Sequence, residues 1–398
     1  MSKEQAELRR WLEEVTDPEL SAELLSIRNE EKEVHERFYR SLEFGTGGLR
    51  GELGAGTNRM NIYTVRQATQ GFAAYLLTQN KTPSAAISYD SRHKSDVFAR
   101  ETARVLAANG VRVYLYPRLM PTPALSFAVL DRRCEGGVMV TASHNPARYN
   151  GYKAYWTDGS QVTAPHDRNI IAEVEKITSI DQILSGANPG NITLLGEEFD
   201  EIYLNKVHTL SLSPESVGKF HDMKIAYTPL HGAGVRLVPA SLRKWGFTNV
   251  SLVEEQAVID GNFPTVESPN PEERKTMAKA IELGSRLGAD LVLATDPDSD
   301  RIGVALRNAK GEYVLLNGNQ TLSLIMAYQL TRWSELGRLD GKEFVVKTIV
   351  TSQMPNVMAA HFGVKCYDCL TGFKYIARII RNNEGKATYI GGGEESFG

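Results

Sequence analysis

Three short polar runs, each directly after an apolar stretch, carry residue types that do chemistry. In Thr141-Ala142-Ser143-His144-Asn145-Pro146 a serine hydroxyl stands next to an imidazole, a pairing that can support nucleophilic attack or bind an anion. The same residue types also make an ordinary turn. A serine-hydrolase elbow needs glycine two residues before and after the nucleophile; Thr141 and Asn145 stand there instead, which disfavours acyl transfer.

The second run, Asp296-Pro297-Asp298-Ser299-Asp300-Arg301, follows Leu291-Val292-Leu293. Alternate residues of an extended segment project to one side, so Asp296, Asp298 and Asp300 can converge on one hard cation through oxygen. Three adjacent carboxylates repel one another, and a bound Mg²⁺ removes that cost. An EF-hand loop fails on spacing, because Arg301 and Arg307 occupy its sixth and twelfth positions, where glycine and glutamate are required. A solvated acidic turn is the plain alternative; the preceding apolar run and the adjacent Arg301 argue against it. In the third run, Gly391-Gly392-Gly393-Glu394-Glu395-Ser396, glycines let the backbone approach a ligand, and Glu394 and Ser396 can exchange hydrogen bonds with sugar hydroxyls. A frayed glycine-rich end would look the same.

The elements that must position these runs show as short apolar stretches alternating with helical ones, which predicts an α/β fold with a largely parallel sheet. Expected strands are Ala85–Tyr89, Val111–Tyr116, Gly137–Thr141, Lys224–Thr228, Asp290–Thr295, Phe344–Val350 and Thr388–Ile390. Ligands bind at the carboxyl ends of such strands, where all three runs lie. Residues 1–42 read as a helical appendage, with Leu8, Trp11, Leu12 and Val15 at helical spacing and Asp17-Pro18 as N-cap and first helical residue. Phe44-Gly45-Thr46-Gly47-Gly48-Leu49-Arg50-Gly51 reads as a glycine-rich loop. Polar stretches divide the rest at 43–212, 213–325 and 326–398. Ser91-Arg92-His93-Lys94 reads as a lining of the site or as a basic turn opening a helix, and His231 as a structural histidine.

Composition limits the partners. At 398 residues the chain exceeds one ordinary domain of roughly 100 to 150 residues. Its net charge of −3 and lack of a basic run leave no footprint for nucleic acid or an anionic membrane. No apolar stretch reaches the roughly 20 residues that span a bilayer, and the charged amino terminus is unlike a signal peptide, so a cytoplasmic protein is expected. Nothing indicates an oligomeric state. Cys134, Cys366 and Cys369 cannot form a disulfide framework, and no further ligands surround Cys366-x-x-Cys369 to complete a zinc site.

Taken together, TASHNP, DPDSDR and GEES resemble, in order and separation, the phosphoserine, metal and sugar-recognition loops of the α-D-phosphohexomutase family. FGTGGLRG and TPLHG look most like its phosphoglucomutase branch, which includes phosphopentomutases and glucose-1,6-bisphosphate synthases. The resemblance implies consecutive α/β domains of mixed or parallel sheet around a central cleft. It implies that Ser143 carries a phosphoryl group whose oxygen joins Asp296, Asp298 and Asp300 around Mg²⁺. His144, Lys153 and Arg50 become candidates for catalysis and proton transfer, and Arg301, Lys374, Glu394 and Ser396 for binding a sugar phosphate.

The implied activity interconverts glucose 1-phosphate and glucose 6-phosphate through a 1,6-bisphosphate, with glucose 1,6-bisphosphate as activator. Phosphopentomutase or bisphosphate synthase activity is the neighbouring alternative. Complete family members carry a fourth, phosphate-gripping domain; here an incomplete third domain and no fourth are expected, with an open sheet edge near Thr388–Ile390. A non-catalytic sugar-phosphate-binding fragment is therefore a further alternative.

Overall fold

The computed structural model describes residues 2–45, 47–186 and 188–398. The chain folds into two compact units, Met1–Gly196 and Glu197–Gly398.

The first unit opens with helices α1 (Lys3–Glu14), α2 (Pro18–Ile27) and α3 (Glu31–Phe38). Asp17 caps α2 by accepting the Leu20 N–H at 3.0 Å, and Pro18 follows where its missing N–H costs nothing. Trp11 meets Phe38 and Tyr63 edge-on, so the helices close a small core against the next helix. There follow β1 (Gly48–Glu52), α4 (Ile62–Gln79), β2 (Ser84–Tyr89), α5 (Ser95–Ala108), β3 (Arg112–Leu115), α6 (Thr122–Asp131), β4 (Gly136–Val140), β5 (Tyr149–Trp156), α7 (His166–Glu175) and β6 (Ile192–Leu194). The sheet runs β1-β5-β4-β2-β3-β6. Strands β4, β2, β3 and β6 are parallel, and β5 returns antiparallel beside β4.

The second unit holds two sheets. Its first part contains α8 (Glu197–His208), α9 (Pro214–Lys219), β7 (Ile225–Thr228), α10 (Gly234–Trp245), β8 (Val250–Leu252), α11 (Glu254–Ala257), α12 (Ala278–Leu287), β9 (Leu291–Thr295), β10 (Ile302–Arg307) and β11 (Tyr313–Leu315). The strand order is β11-β10-β9-β7-β8, with β10 antiparallel to β9. Then come α13 (Gly318–Glu335), β12 (Glu343–Thr348), α14 (Met354–His361), β13 (Lys365–Cys369), α15 (Phe373–Asn382) and β14 (Thr388–Gly393), forming a parallel sheet in the order β13-β12-β14. The central β12 is buried at all six positions, as the middle strand of a covered parallel sheet must be. Strand β14 lies at the edge of this sheet.

The α/β class is as expected, with mixed sheets. Two glycine-rich segments differ from expectation. Gly48–Gly51 is not a loop but part of β1, because a Cβ at Gly48 would lie 1.8 Å from the Tyr152 carbonyl oxygen; only glycine lets β1 close on β5. Thr46 of that segment lies outside the described residues. Gly391–Gly393 likewise belongs to β14, where a Cβ on Gly391 would meet the Gln329 amide at 2.2 Å and one on Gly392 the Val346 carbonyl at 2.3 Å. Those glycines serve packing inside the protein.

Candidate active-site loops

The serine run connects β4 to the antiparallel β5. Strand β4 is wholly buried, and Thr141 and Ala142 continue that burial, so the loop leaves the core under tight control. Ser143 is 7% exposed and has φ +53°, a left-handed conformation that a non-glycine residue holds only where its surroundings impose it. Its N–H donates to Thr141 Oγ1 at 2.8 Å, and Thr141 Oγ1 donates to Asp90 Oδ2 at 2.7 Å. Ser143 Oγ lies 3.2 Å from His144 Nδ1, within reach for proton exchange. Arg50, on β1 opposite Gly151, donates from Nη1 to Asn145 Oδ1 at 3.4 Å. Lys153 stands on β5 between Gly48 and Met139. The structure thus gathers Ser143, His144 and Arg50 about one loop and puts Lys153 on the strand that leaves it.

Arg92 belongs to this loop as well, although its sequence position suggested a helix-opening turn as readily as a site lining. Its side chain is fully buried, and its guanidinium donates to the main-chain oxygens of Ser143 (2.5 Å), Pro146 (2.9 Å), Tyr149 (3.0 Å) and Asn145. The available signal was the Asp90-Ser91-Arg92 run after β2, the parallel neighbour of β4.

The aspartate run connects β9 to the antiparallel β10. Asp296 and Asp298 are fully buried, Asp300 is partly exposed, and one oxygen of each carboxylate lies within 4.8 Å of the other two. Burial, then the charges of Asp298 and Asp300, push the Asp296 carboxyl well above the ordinary range. Three clustered acids, two removed from water, are a donor set suited to a small hard divalent cation. Arg301 donates its main-chain N–H to Asp296 Oδ1 at 3.1 Å, while its guanidinium pairs with Glu272 at 2.8 Å. The loop is braced from behind. Tyr227 Oη and Thr295 Oγ1 share a hydrogen bond of 2.8 Å, Ala233 N–H donates to the Pro297 carbonyl at 2.8 Å, and a Cβ at Gly232 would lie 2.5 Å from Pro297 Cα. His231 is buried with Nδ1 2.8 Å from the Val258 carbonyl and Nε2 2.9 Å from Thr265 Oγ1, so both ring nitrogens serve the fold.

The glutamate run is a turn after β14. Glu394 accepts the Gly372 N–H at 2.9 Å. Glu395, which sequence reasoning passed over, accepts from Thr351 Oγ1 at 2.7 Å and Thr348 Oγ1 at 3.0 Å. Ser396 is half-buried in the same turn, and Lys374, near the start of α15, lies 5.4 Å from the centre of the Tyr375 ring. The Ile302 N–H, two residues beyond Asp300, donates to the Phe397 carbonyl at 2.8 Å, which ties the glutamate turn to the exit of the aspartate loop.

Cys366 and Cys369 are free thiols three residues apart on β13, which directs them to opposite faces of the sheet, and burial pushes each up to about 11. Among the described residues, no helix is long and apolar enough to cross a membrane.

Known proteins resemble this chain along most of its length. Residues 41–181, 201–311 and 317–398 match, in order, the α/β/α domains I, II and III of phosphoglucomutase/phosphomannomutase. A phosphoglucomutase of Staphylococcus aureus is 37% identical over 370 residues, which are 92% of this chain; the match spans 65% of the length of that relative. Among solved structures, a putative phosphomannomutase from Thermus thermophilus superposes with a TM-score of 0.74 at 26% identity, over 90% of this chain and 75% of that one. An Aspergillus fumigatus N-acetylphosphoglucosamine mutase, solved with GlcNAc-6P and magnesium, superposes with a TM-score of 0.51 at 14% identity, over 90% of this chain and 67% of that one. The chain belongs to the phosphoglucomutase/phosphomannomutase family of α-D-phosphohexomutases.

Proposed function

We propose that this chain carries the catalytic loops of a mutase that interconverts glucose 1-phosphate and glucose 6-phosphate through phosphorylated Ser143. The observation that carries this is the occurrence, in one chain, of a rigidly held serine beside an imidazole and a buried cluster of three carboxylates. Phosphoserine 143 gives its phosphoryl group to a sugar hydroxyl: the Ser143 Oγ–P bond breaks, a sugar O–P bond forms, and a 1,6-bisphosphate results. The hydroxyl proton passes to a nearby base, for which His144, Lys153 and Arg50 are candidates. The bisphosphate then turns around and returns its other phosphoryl group to Ser143. Glu394 and Ser396 hold sugar hydroxyls during both steps, with Lys374 and Arg301 binding the anionic substrate.

Asp296, Asp298 and Asp300 would hold Mg²⁺, which when bound offsets the negative charge of the reacting phosphoryl group. Magnesium accompanies a sugar phosphate in the Aspergillus relative, which supports that assignment. Positioning and charge neutralisation supply most of the catalysis of phosphoryl transfer, and rigid loops provide the first of these. Glucose 1,6-bisphosphate would act as activator by phosphorylating Ser143.

The test is incubation with glucose 1,6-bisphosphate and Mg²⁺, followed by intact-mass and peptide mass spectrometry. A gain of one phosphoryl group on Ser143, lost in Ser143→Ala and on chelation, is expected. If phosphate appears elsewhere, or only as inorganic phosphate, the mutase assignment fails. Turnover of ribose 1-phosphate faster than glucose 1-phosphate would replace the hexose with a pentose.

A further inference from the structure

We propose that Arg92 is the positioning residue that holds Ser143 ready to accept a phosphoryl group, acting through main-chain carbonyls. The proposal rests on reading Ser143 as the phosphoryl acceptor, and the geometry adds what that reading lacks: a cause for the conformation of Ser143.

Both main-chain polar groups of Ser143 are tied to one buried pair. Its carbonyl accepts from Arg92 Nη2 at 2.5 Å, and its N–H donates to Thr141 Oγ1, whose own proton goes to Asp90 Oδ2. Asp90 and Arg92 are themselves joined, Nε to Oδ2 at 3.3 Å, with both side chains fully buried. Asp90 Oδ1 further accepts from the Arg92 N–H at 3.0 Å and from Ser95 Oγ at 2.8 Å, which fixes the carboxylate in turn. From this base the guanidinium spans the loop, donating to the carbonyls of Ser143, Asn145, Pro146 and Tyr149. A left-handed serine is a strained choice that the chain adopts only under such constraint. Only a planar fork with five donors can serve four carbonyls at once; a lysine ammonium offers three donors from a single point.

The experiment compares the whole protein with its Arg92→Lys and Arg92→Ala variants. Two quantities are read: the rate of phosphoryl uptake by Ser143 from glucose 1,6-bisphosphate, and deuterium exchange in residues 141–150. Arg92→Lys is expected to take up phosphoryl about a hundredfold more slowly, the scale set by small misplacement of a reacting group, with little change in the half-saturating bisphosphate concentration. Exchange is expected to rise in 141–150 while β2 and β4 stay protected. In Arg92→Ala, free guanidinium at concentrations well below denaturing is expected to restore uptake where ammonium does not, a readout that loss of packing alone would not produce.

Uptake at the unaltered rate in folded Arg92→Lys overturns the proposal. If the unaltered protein takes up no phosphoryl group, the reading of Ser143 falls and the proposal falls with it, and exchange then decides only whether Arg92 holds the loop: unchanged exchange in Arg92→Lys rules that out, and faster exchange confined to 141–150 supports it. Should Arg92→Lys not fold, Asp90→Asn, which keeps shape and removes the counter-charge, is measured in the same two ways, with slower uptake and faster loop exchange expected; no change in either sinks the idea.

Discussion

The serine and aspartate loops occupy matching places in two different sheets. Each leaves a buried central strand and returns in an antiparallel neighbour, β4 to β5 and β9 to β10, and each turns on a left-handed serine, Ser143 (φ +53°) and Ser299 (φ +54°). Their electrostatics are opposite. The serine loop is neutralised from within by the Asp90–Arg92 pair. The aspartate loop gathers three carboxylates and one adjacent arginine, whose guanidinium is already engaged by Glu272. The serine loop pairs its buried charges within the polypeptide; the aspartate loop concentrates negative charge of the kind that the proposed cation would offset. The same backbone device thus carries a charge-paired loop in one sheet and a cluster of carboxylates in the other, according to what charge is built around it.

The largest expected effect falls on the reacting atom. Ser143→Ala removes the proposed phosphoryl acceptor, and the proposed mutase turnover should fall at least about a thousandfold, as expected when a covalent nucleophile is deleted. Its unfolding midpoint should barely move, because the clasp engages the backbone of residue 143. A large loss of stability would show that the hydroxyl holds the loop.

Next come changes that separate the two loops by sign. Asp90→Asn leaves Arg92 buried without its counter-charge and should destabilise the protein by about 3–5 kcal/mol in urea unfolding, the usual result of breaking one side of a buried ion pair. Asp298→Asn removes one of three repelling carboxylates and should make the metal-free protein more stable while abolishing tight Mg²⁺ binding in calorimetry. If both substitutions destabilise the metal-free protein, the contrast between a self-sufficient loop and a cation-dependent one is wrong.

A third prediction follows from the raised Asp296 carboxyl. In the folded protein it holds its proton to higher pH than in the unfolded chain, so protons bound by the native state exceed those bound by the unfolded state across that window. Stability from this group is therefore full below the unfolded carboxyl range and lost as pH rises through the folded value. The metal-free protein should melt lower at neutral pH than in mild acid. Mg²⁺ at about a hundred times its dissociation constant should add about 2.7 kcal/mol at neutral pH and less in acid, where protons compete for the same oxygens. A melting temperature that rises between mild acid and neutrality in the absence of metal, or an equal Mg²⁺ effect at both, would contradict this.

How much of this was legible depended on burial. Parallel central strands read as unbroken apolar runs, so Ala85–Tyr89, Gly137–Thr141 and Phe344–Val350 were found near the observed β2, β4 and β12. Their returning neighbours were not: β5, Tyr149–Trp156, carries Asn150, Gly151 and Lys153, and looks like loop until the sheet is seen. Glycines were the most misleading residues. Beside charged residues they suggested ligand-contacting loops, yet at Gly48 and Gly392 main-chain carbonyls from elsewhere in the fold occupy the place of a Cβ. The Ser143–His144 pair and the clustering of Asp296, Asp298 and Asp300 were readable because these residues are neighbours in sequence as well as in space. Arg92 was not, since the carbonyls it serves lie 51 to 57 residues further along the chain.

The smallest effect concerns Glu395, the counterpart of Arg92 in the glutamate turn. Its carboxylate accepts from two threonine hydroxyls, and its N–H donates to Thr351 Oγ1 at 3.2 Å, so this side chain fixes the turn that carries Glu394 and Ser396, the proposed sugar-binding residues. Glu395→Gln keeps the size and one acceptor but exchanges charge-assisted bonds for neutral ones, a loss of about 1 kcal/mol or less. Stability should fall by that amount. The kinetic effect should appear chiefly in KM, because a looser turn weakens the hold on the sugar in ground state and transition state alike, while Ser143 and its clasp are unchanged. A drop in kcat at constant KM would instead place Glu395 in the chemistry, and the division between supporting and reacting residues in this turn would have to be redrawn.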